Sequence, residues 1–208
     1  MGVRPFALYS VPMAFSDTPV LESDRVRLEP LSHSHAADLA EAARGGNLWQ
    51  RAWYTSIPAP DAVAAEIDRR LSLHRAGSMA PWAVVDPTTG AAVGMTTYMD
   101  IDEPNRRLEI GSTWLAAAAQ GTGINPAAKR LLLSRAFEDL GCIAVEFRTH
   151  WHNHQSRAAI ARLGAKQDGV LRNHKILPNG TVRDTVVFSI IDTEWPAVRA
   201  GLDARLAR

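Results

Sequence analysis

The chain has 208 residues, 46% of them hydrophobic, which is enough for one sizeable core and fits a single domain better than two. Its 23 Lys and Arg residues balance 22 Asp and Glu, so no overall positive field favours a nucleic-acid or membrane partner. The single cysteine, Cys142, excludes an internal disulfide and a cysteine-rich zinc module, and it is typical of a reducing cytosol. An acidic ligand must therefore be held by a local site.

The chain begins with a segment, residues 1–20, that has short apolar runs but no hydrophobic stretch of signal-peptide or membrane-span length. We expect a loosely packed arm there, or an oligomer contact such as a homodimer would use, in a cytoplasmic protein. Residues 21–195 then form the main domain. Residues 196–208 are predicted to be a helix that packs on this domain or extends it.

The first half of the domain is predicted to combine one strand with two helices. Side-chain type alternates over residues 25–31, as in a strand with one buried face. Ser34 is expected to cap a helix that ends near Arg44, and Asp61 a second helix that ends near His74. The intervening stretch "LWQRAWYTSIPAP" is predicted to be an aromatic-rich loop.

The pattern changes from Pro81 onward. The β-rich runs "PWAVVD", "AAVGMTTYMDI" and "RRLEIGSTWL" are separated by turn-forming clusters, which predicts an antiparallel meander. A helix, the strand "IAVEFRT", a second helix and a hairpin around Asn179-Gly180 follow. The expected class is α/β (α+β): a mixed, mostly antiparallel sheet of about six to seven strands, flanked by helices.

The loop "QGTGIN" directly precedes a predicted helix. Asn125 suits the N-cap position and Pro126 the first helical position. Unpaired amides at the helix start, the helix dipole, and the close approach allowed by Gly121 and Gly123 predict a site for a pyrophosphate or similar anion. The alternative is that the two glycines only form a turn and the polar residues only cap the helix.

With these motifs, the chain resembles the GNAT N-acetyltransferases and, within them, the RimJ/RimL subgroup of ribosomal-protein N-terminal acetyltransferases. The resemblance runs from about Leu21 to Trp195 and is carried by "EIGSTWL", "QGTGINPAAKRLLLSRAFEDLG", "FRTHWHNHQSRAAIARLGAKQDGVLR" and "DTVVFSIIDTEWP". It implies the GNAT fold and acetyl-CoA as cofactor. It also implies two groups of cofactor-binding residues: the loop Gln120, Gly121, Thr122, Gly123, Ile124 and Asn125, where Asn125 replaces the usual Gly or Ala, and the strand residues Ser112, Thr113, Trp114 and Leu115.

The stretch "RTHWHNHQSR" contains histidines at every second position. On a strand these would share one face, so a metal site, a structural role and a substrate-site role are the alternatives. The resemblance instead points to Asn153 and Ser156 as cofactor contacts, with Ser156 placed to contact the departing thiolate because Ile160 replaces the usual tyrosine. Simple helix capping is the alternative for Ser156. Arg157 is expected either to reach a phosphate or to be solvated.

The resemblance implies an acetyl-CoA-dependent N-acetyltransferase in which an amine attacks the thioester directly. Glu109 is the candidate general base; its alternative role is a surface ion pair with Arg106 or Arg107. Protein N-termini and small amines both remain open as acceptors, and so do two other functions, acyl-CoA binding without turnover and a histidine metal module. The residues expected at the acceptor are Trp49, Trp53, Tyr54, Glu109, His150, His152 and His174.

Overall fold

The computed structural model describes residues 14–51, 53 and 57–208, which form one eight-stranded sheet with helices on both faces. The strands are β1 (Leu21–Ser23), β2 (Val26–Pro30), β3 (Met79–Val85), β4 (Ala92–Asp102), β5 (Arg107–Leu115), β6 (Ala144–His150), β7 (Lys166–Ile176) and β8 (Val182–Ile191). Their order across the sheet is β1-β2-β3-β4-β5-β6-β8-β7. All neighbouring pairs are antiparallel except β5 and β6, which are parallel.

The helices form a layer on each face of the sheet. They are α1 (Ala36–Arg44), α2 (Val63–Arg75), α3 (Ile124–Ser134), α4 (His154–Ala161) and α5 (Trp195–Leu206). One core cluster contains residues of α1 and α2, and a second contains residues of α3, α4 and α5. The α/β class with a mixed, mostly antiparallel sheet is thereby confirmed. Among the described residues, no helix has both the length and the apolar character needed to span a membrane.

The strand count and three helix starts differ from the sequence prediction. The strand that was not predicted is β1, whose three residues are too few for an alternation of side-chain type to be visible. Short 3-10 turns precede α1 and α2, so neither Ser34 nor Asp61 is the N-cap of an α-helix. Asn125 is the second residue of α3, because Gly123 takes the cap position in a left-handed conformation. Helix N-termini are thus set by local backbone geometry that a capping residue alone does not reveal.

The described part of the N-terminal segment, residues 14–20, packs against the core. Phe15 is buried, and the indole Nε1 of Trp82 donates to the Pro19 carbonyl oxygen at 2.9 Å. This stretch is therefore held by contacts with the sheet. Residues 1–13, the remainder of the predicted arm, lie outside the described residues.

Candidate active site

The candidate site lies where β5 and β6 separate. The two strands pair only over Arg107–Glu109 and Ala144–Glu146. Beyond these pairs a cavity of about 510 Å³ opens, lined on one side by residues 110–115 of β5 and on the other by residues 147–150 of β6. Since neither strand has a neighbour on this side, their backbone groups are available to a bound molecule.

A β-bulge in β5 shapes one wall of this cavity. Between the pairs Thr97 with Gly111 and Met95 with Trp114, β5 contains one residue more than β4. Ser112 sits at the bulge with a φ of 46°. A bulge bends its strand and leaves one residue outside the ladder, so it redirects the peptide groups of β5 beside the cavity.

Two buried cationic side chains fix this bulge from opposite faces of the sheet. From α2, Arg70 Nη2 donates to the Ser112 carbonyl oxygen at 3.0 Å. From α3, Lys129 Nζ donates to Thr113 Oγ1 at 2.7 Å and to Thr96 Oγ1 at 3.2 Å. Burial lowers the pKa of Lys129 to about 7. Both helical layers thus hold the same irregular segment, which keeps its geometry defined.

We expect Arg70→Met to destabilise the protein by about 3 kcal/mol, because Thr97 Oγ1 on β4 and the Ser112 carbonyl oxygen on β5 would both lose a charged donor. Arg69→Met is the matched control, since both arginines pair with Glu66 but the Arg69 side chain is 50% exposed and that of Arg70 is fully buried. The control, Arg69→Met, should lower the free energy of unfolding by under about 1 kcal/mol. Urea unfolding measures both values; equal losses would show that the bonds of Arg70 to the sheet contribute nothing.

The loop before α3 has the geometry of an anion site. Gly121 and Gly123 have φ values of 82° and 96°, in the region that favours glycine. The first amides of α3 are unpaired by helix geometry, although Pro126, its third residue, supplies none. A Cβ built on Gly123 would lie 3.1 Å from Arg25 Nη1, so the space over this glycine is confined by a guanidinium group.

Five arginines that the sequence reading missed line the same cavity, and three of them are Arg25, Arg162 and Arg205. Arg25 lies in the turn between β1 and β2 and donates to the Leu206 carbonyl oxygen at 3.0 Å. No local pattern marks these residues, because they come from three distant parts of the chain. Together with the glycine loop, they give a nearly neutral protein a local concentration of positive charge and amide donors that fits a phosphate-bearing cofactor.

The start of α4 forms the opposite side of the cavity. Asn153 is the N-cap, and its Oδ1 accepts from the Ser156 amide at 3.0 Å. Ser156 is therefore not itself the cap, and both residues line the cavity. Arg157 instead lies over the Trp151 ring, 4.2 Å from its centroid, and is absent from the lining.

The histidines of "THWHNH" do not share one face. His150 is the last residue of β6, His152 lies in the following turn, and His154 begins α4, so the alternation of the strand ends at His150. Trp53 packs on the first two, with ring centroids 5.6 and 5.4 Å away. Within the described part of the chain, no three His, Cys, Asp or Glu side chains are grouped as metal ligands.

Glu109 is a buried carboxyl group on the face of the sheet that carries α1 and α2. Leu108 and Ile110, its neighbours along β5, belong to the opposite core, so alternation places Glu109 on this face. Burial raises its pKa to about 7 even though Arg148 Nε, 3.6 Å from its carboxylate, favours the ionised form. A carboxyl group that titrates near neutrality can accept a proton from an amine at physiological pH.

The surroundings of Glu109 differ from the surface ion pair considered as its alternative role. Arg107 pairs with Glu146 and not with Glu109. Glu109 lines a second cavity, of about 140 Å³, which shares the lining residue Arg148 with the first. Its Oε1 lies 2.4 Å from where a Cβ on Gly111 would be, so this glycine gives the carboxyl group its room beside the main cavity.

The other predicted site residues divide between the cavity and its surroundings. Trp53 lines the main cavity, as do the β5 residues 112–115 and all of the predicted loop except Ile124, which is buried in the core. Trp49 packs against the core under α1, and His174 Nδ1 contacts Thr185 Oγ1 at 3.0 Å. Neither lines the cavity, nor does His152. Tyr54 lies outside the described residues.

Comparison with known proteins agrees with this geometry. The model of the acetyltransferase (GNAT) domain matches residues 25–166, which include the cavity strands, the glycine loop and α4. The chain belongs to the GNAT acetyltransferase family. Members of this family are acetyltransferases that use acetyl-CoA.

Individual relatives of this GNAT protein support the same assignment. A GCN5-related N-acetyltransferase from Brucella melitensis is 31% identical and aligns with 91% of this chain and 86% of its own, with a TM-score of 0.82. Mycobacterium smegmatis RimJ, solved in complex with CoA-disulfide, is 23% identical and shares the fold, with a TM-score of 0.75 over 93% of this chain and 97% of its own. The "Putative ribosomal N-acetyltransferase YdaF" of Bacillus subtilis (strain 168) is 36% identical over 106 residues, 51% of this chain. The match spans only 57% of the length of that relative.

Proposed function

We propose that this protein transfers the acetyl group of acetyl-CoA to a primary amine by direct attack, with a protein N-terminus or a small-molecule amine as acceptor. The observation that carries the proposal is the position of Glu109. This buried carboxyl group, with a pKa raised to about 7, lies at the last pair of β5 with β6, directly before the gap between them opens, and it lines the smaller cavity. The glycine loop and the start of α4 border the same gap.

The chain holds the cofactor with three sets of groups. Loop residues 120–123 with Asn125, and the side chains of Arg25, Arg162 and Arg205, face the phosphates. The redirected backbone of β5 at residues 112–115 pairs with the pantetheine arm. Asn153, whose Oδ1 is engaged by the Ser156 amide, orients the turn that covers the other side. This division of roles is supported by the cavity lining, which contains all of these residues.

Catalysis then requires a free amine, a polarised carbonyl group and a proton for the leaving thiolate. Bound acetyl-CoA supplies an activated acetyl thioester. Glu109 accepts the proton of the acceptor amine, directly or through a water molecule. Backbone amides at the bulge of β5 stabilise the charge that develops on the carbonyl oxygen. The Ser156 hydroxyl donates a hydrogen bond to the leaving thiolate sulfur, which then takes its proton from solvent water.

We expect Ser156→Ala to lower kcat by about 10- to 100-fold, the value of a hydrogen bond to a charged group, with little change in acetyl-CoA affinity. Steady-state kinetics and isothermal titration with acetyl-CoA separate the two effects. Ser72→Ala, at an exposed position of α2, is the control and should match the wild type. A variant with unchanged kcat would remove Ser156 from the reaction.

A mass-spectrometric acceptor screen tests the proposed function. Peptides beginning with Ala, Ser or Met and a panel of small amines are incubated with the protein and acetyl-CoA. We expect one acceptor class to gain an acetyl group with stoichiometric release of CoA. The name of the Bacillus subtilis relative supports including ribosomal N-terminal sequences. Acetyl-CoA binding with no turnover across the panel would contradict transfer and indicate a binding protein.

A further inference from the structure

Arg183, a half-buried arginine on β8, lines the main cavity and takes no part in the transfer steps proposed above. Its Nε donates to Thr185 Oγ1 at 2.8 Å. Thr185 lies opposite His150 in the pairing of β8 with β6, and its hydroxyl also contacts His174 Nδ1. The guanidinium group is thereby held on the same face of the sheet as His150.

This arginine has no carboxylate partner in the protein. It forms no ion pair with any described residue, and none of the residues outside the described ranges is an Asp or a Glu. Arg148, which lines the same cavity, contacts three carboxylates: Asp100, Glu146 and Glu109. Because an arginine stays protonated in proteins, Arg183 brings to the cavity a positive charge that no carboxylate pairs with directly, although the charge of Glu109 acts on it.

The free donors of Arg183 favour a carboxylate as the group they bind. With Nε engaged by Thr185, the N–H groups of Nη1 and Nη2 remain, and this planar end matches the two oxygens of a carboxylate. Burial and nearby positive charges lower the pKa of His150 and His174, so these neighbours are neutral at physiological pH. The other two charges that act on Arg183, those of Arg148 and Glu109, have opposite signs, so the site suits a monoanion better than a doubly charged phosphate.

The geometry points to a carboxylate subsite at Arg183, which makes the acceptor a primary amine that also carries a carboxylate. This inference rests on the proposed function, in which the amine lies at Glu109. The pairing register places Glu109 and Arg183 on the same face of the sheet, and each shifts the pKa of the other, so one small molecule can reach both. Two sources share this chemistry: a free amino acid, and a peptide with an acidic side chain next to its N-terminus.

Matched acceptors distinguish both the charge and its source. The small-molecule arm compares L-alanine with L-alaninamide and L-serine with L-serinamide. The peptide arm compares amidated Ser-Glu-Ala-Ala with amidated Ser-Gln-Ala-Ala. Release of the CoA thiol gives kcat/KM for each acceptor. In one of the two arms, we expect the acidic member to exceed its neutral counterpart by at least about tenfold.

Variants then assign the preference to Arg183. Arg183→Gln should raise the KM of the acidic acceptor by about 10- to 100-fold and leave the KM of the neutral acceptor and the KM of acetyl-CoA unchanged. Arg183→Lys, which keeps the charge but loses the planar donor pair, should retain part of the preference. Arg172→Gln on the neighbouring strand, whose side chain is 79% exposed, is the control and should match the wild type.

The outcomes separate this inference from the proposed function. Turnover with equal kcat/KM for acidic and neutral members in both arms leaves the transferase function intact and overturns the carboxylate subsite. An equal rise in KM for the acidic and the neutral acceptor in Arg183→Gln overturns the carboxylate subsite as well. Binding of acetyl-CoA without acetylation of any amine contradicts the proposed function, and the subsite falls with it.

Discussion

Gly123→Asp is expected to weaken acetyl-CoA binding at least about 100-fold. The new carboxylate would stand at the helix N-terminus where the proposed phosphate site lies, and two like charges about 4 Å apart repel by several kcal/mol at the effective dielectric of a protein surface. Isothermal titration with acetyl-CoA measures the loss. Since the position has a φ of 96°, Asp, which tolerates this region better than most residues, keeps the backbone change small.

The control for this loop variant is Gly90→Asp. Gly90, in the turn between β3 and β4, has a φ of 73°, and a Cβ there would meet no atom within 4 Å. Gly90→Asp has a similar backbone cost and adds the same charge, but at a residue that does not line the cavity. Its affinity for acetyl-CoA should equal that of the wild type. If Gly123→Asp also bound with wild-type affinity, the phosphate loop would have to be placed elsewhere.

Glu109→Gln is expected to lower kcat/KM by about 100- to 1,000-fold, within the usual contribution of a general base. The kcat/KM of the wild type should rise with pH through about 7, where this carboxyl group loses its proton. The pH profile of Glu109→Gln should lack this rise. Glu103→Gln, in the exposed turn between β4 and β5, is the control and should keep the wild-type profile. If Glu109→Gln kept the rise of kcat/KM with pH, the general base would be another group.

The same substitution has a stability signature that a merely misfolded variant would not show. Folding raises the pKa of Glu109 from 4.5 to about 7, so the folded state binds the extra proton between these values. Stability from this group therefore falls as pH rises through that window, by about 2 to 3 kcal/mol. Urea unfolding at pH 5 and pH 8 should show this fall in the wild type relative to Glu109→Gln. Parallel curves would show that Glu109 titrates normally.

Much of the fold was predictable because the side-chain patterns are local. Alternation located the meander, and Asn179-Gly180 marked the hairpin that joins β7 to β8. The glycine loop and residues of "EIGSTWL" both line the main cavity. The prediction failed where a few backbone angles decide the outcome. A left-handed Gly123 moved the start of α3, and a three-residue β1 was too short to give a period.

The sequence by itself determined the order of the elements, the nearly neutral charge, and the glycine loop with Asn153 and Ser156 that indicate the family. Only the tertiary structure decided which distant side chains meet. It placed Arg25 and Arg205 at the cavity and set Arg70 and Lys129 on opposite faces of one bulge. It also left Arg183 without an ion pair among the described residues. It also fixed the pKa of Glu109, since desolvation depends on packing around the group and not on its neighbours in the chain.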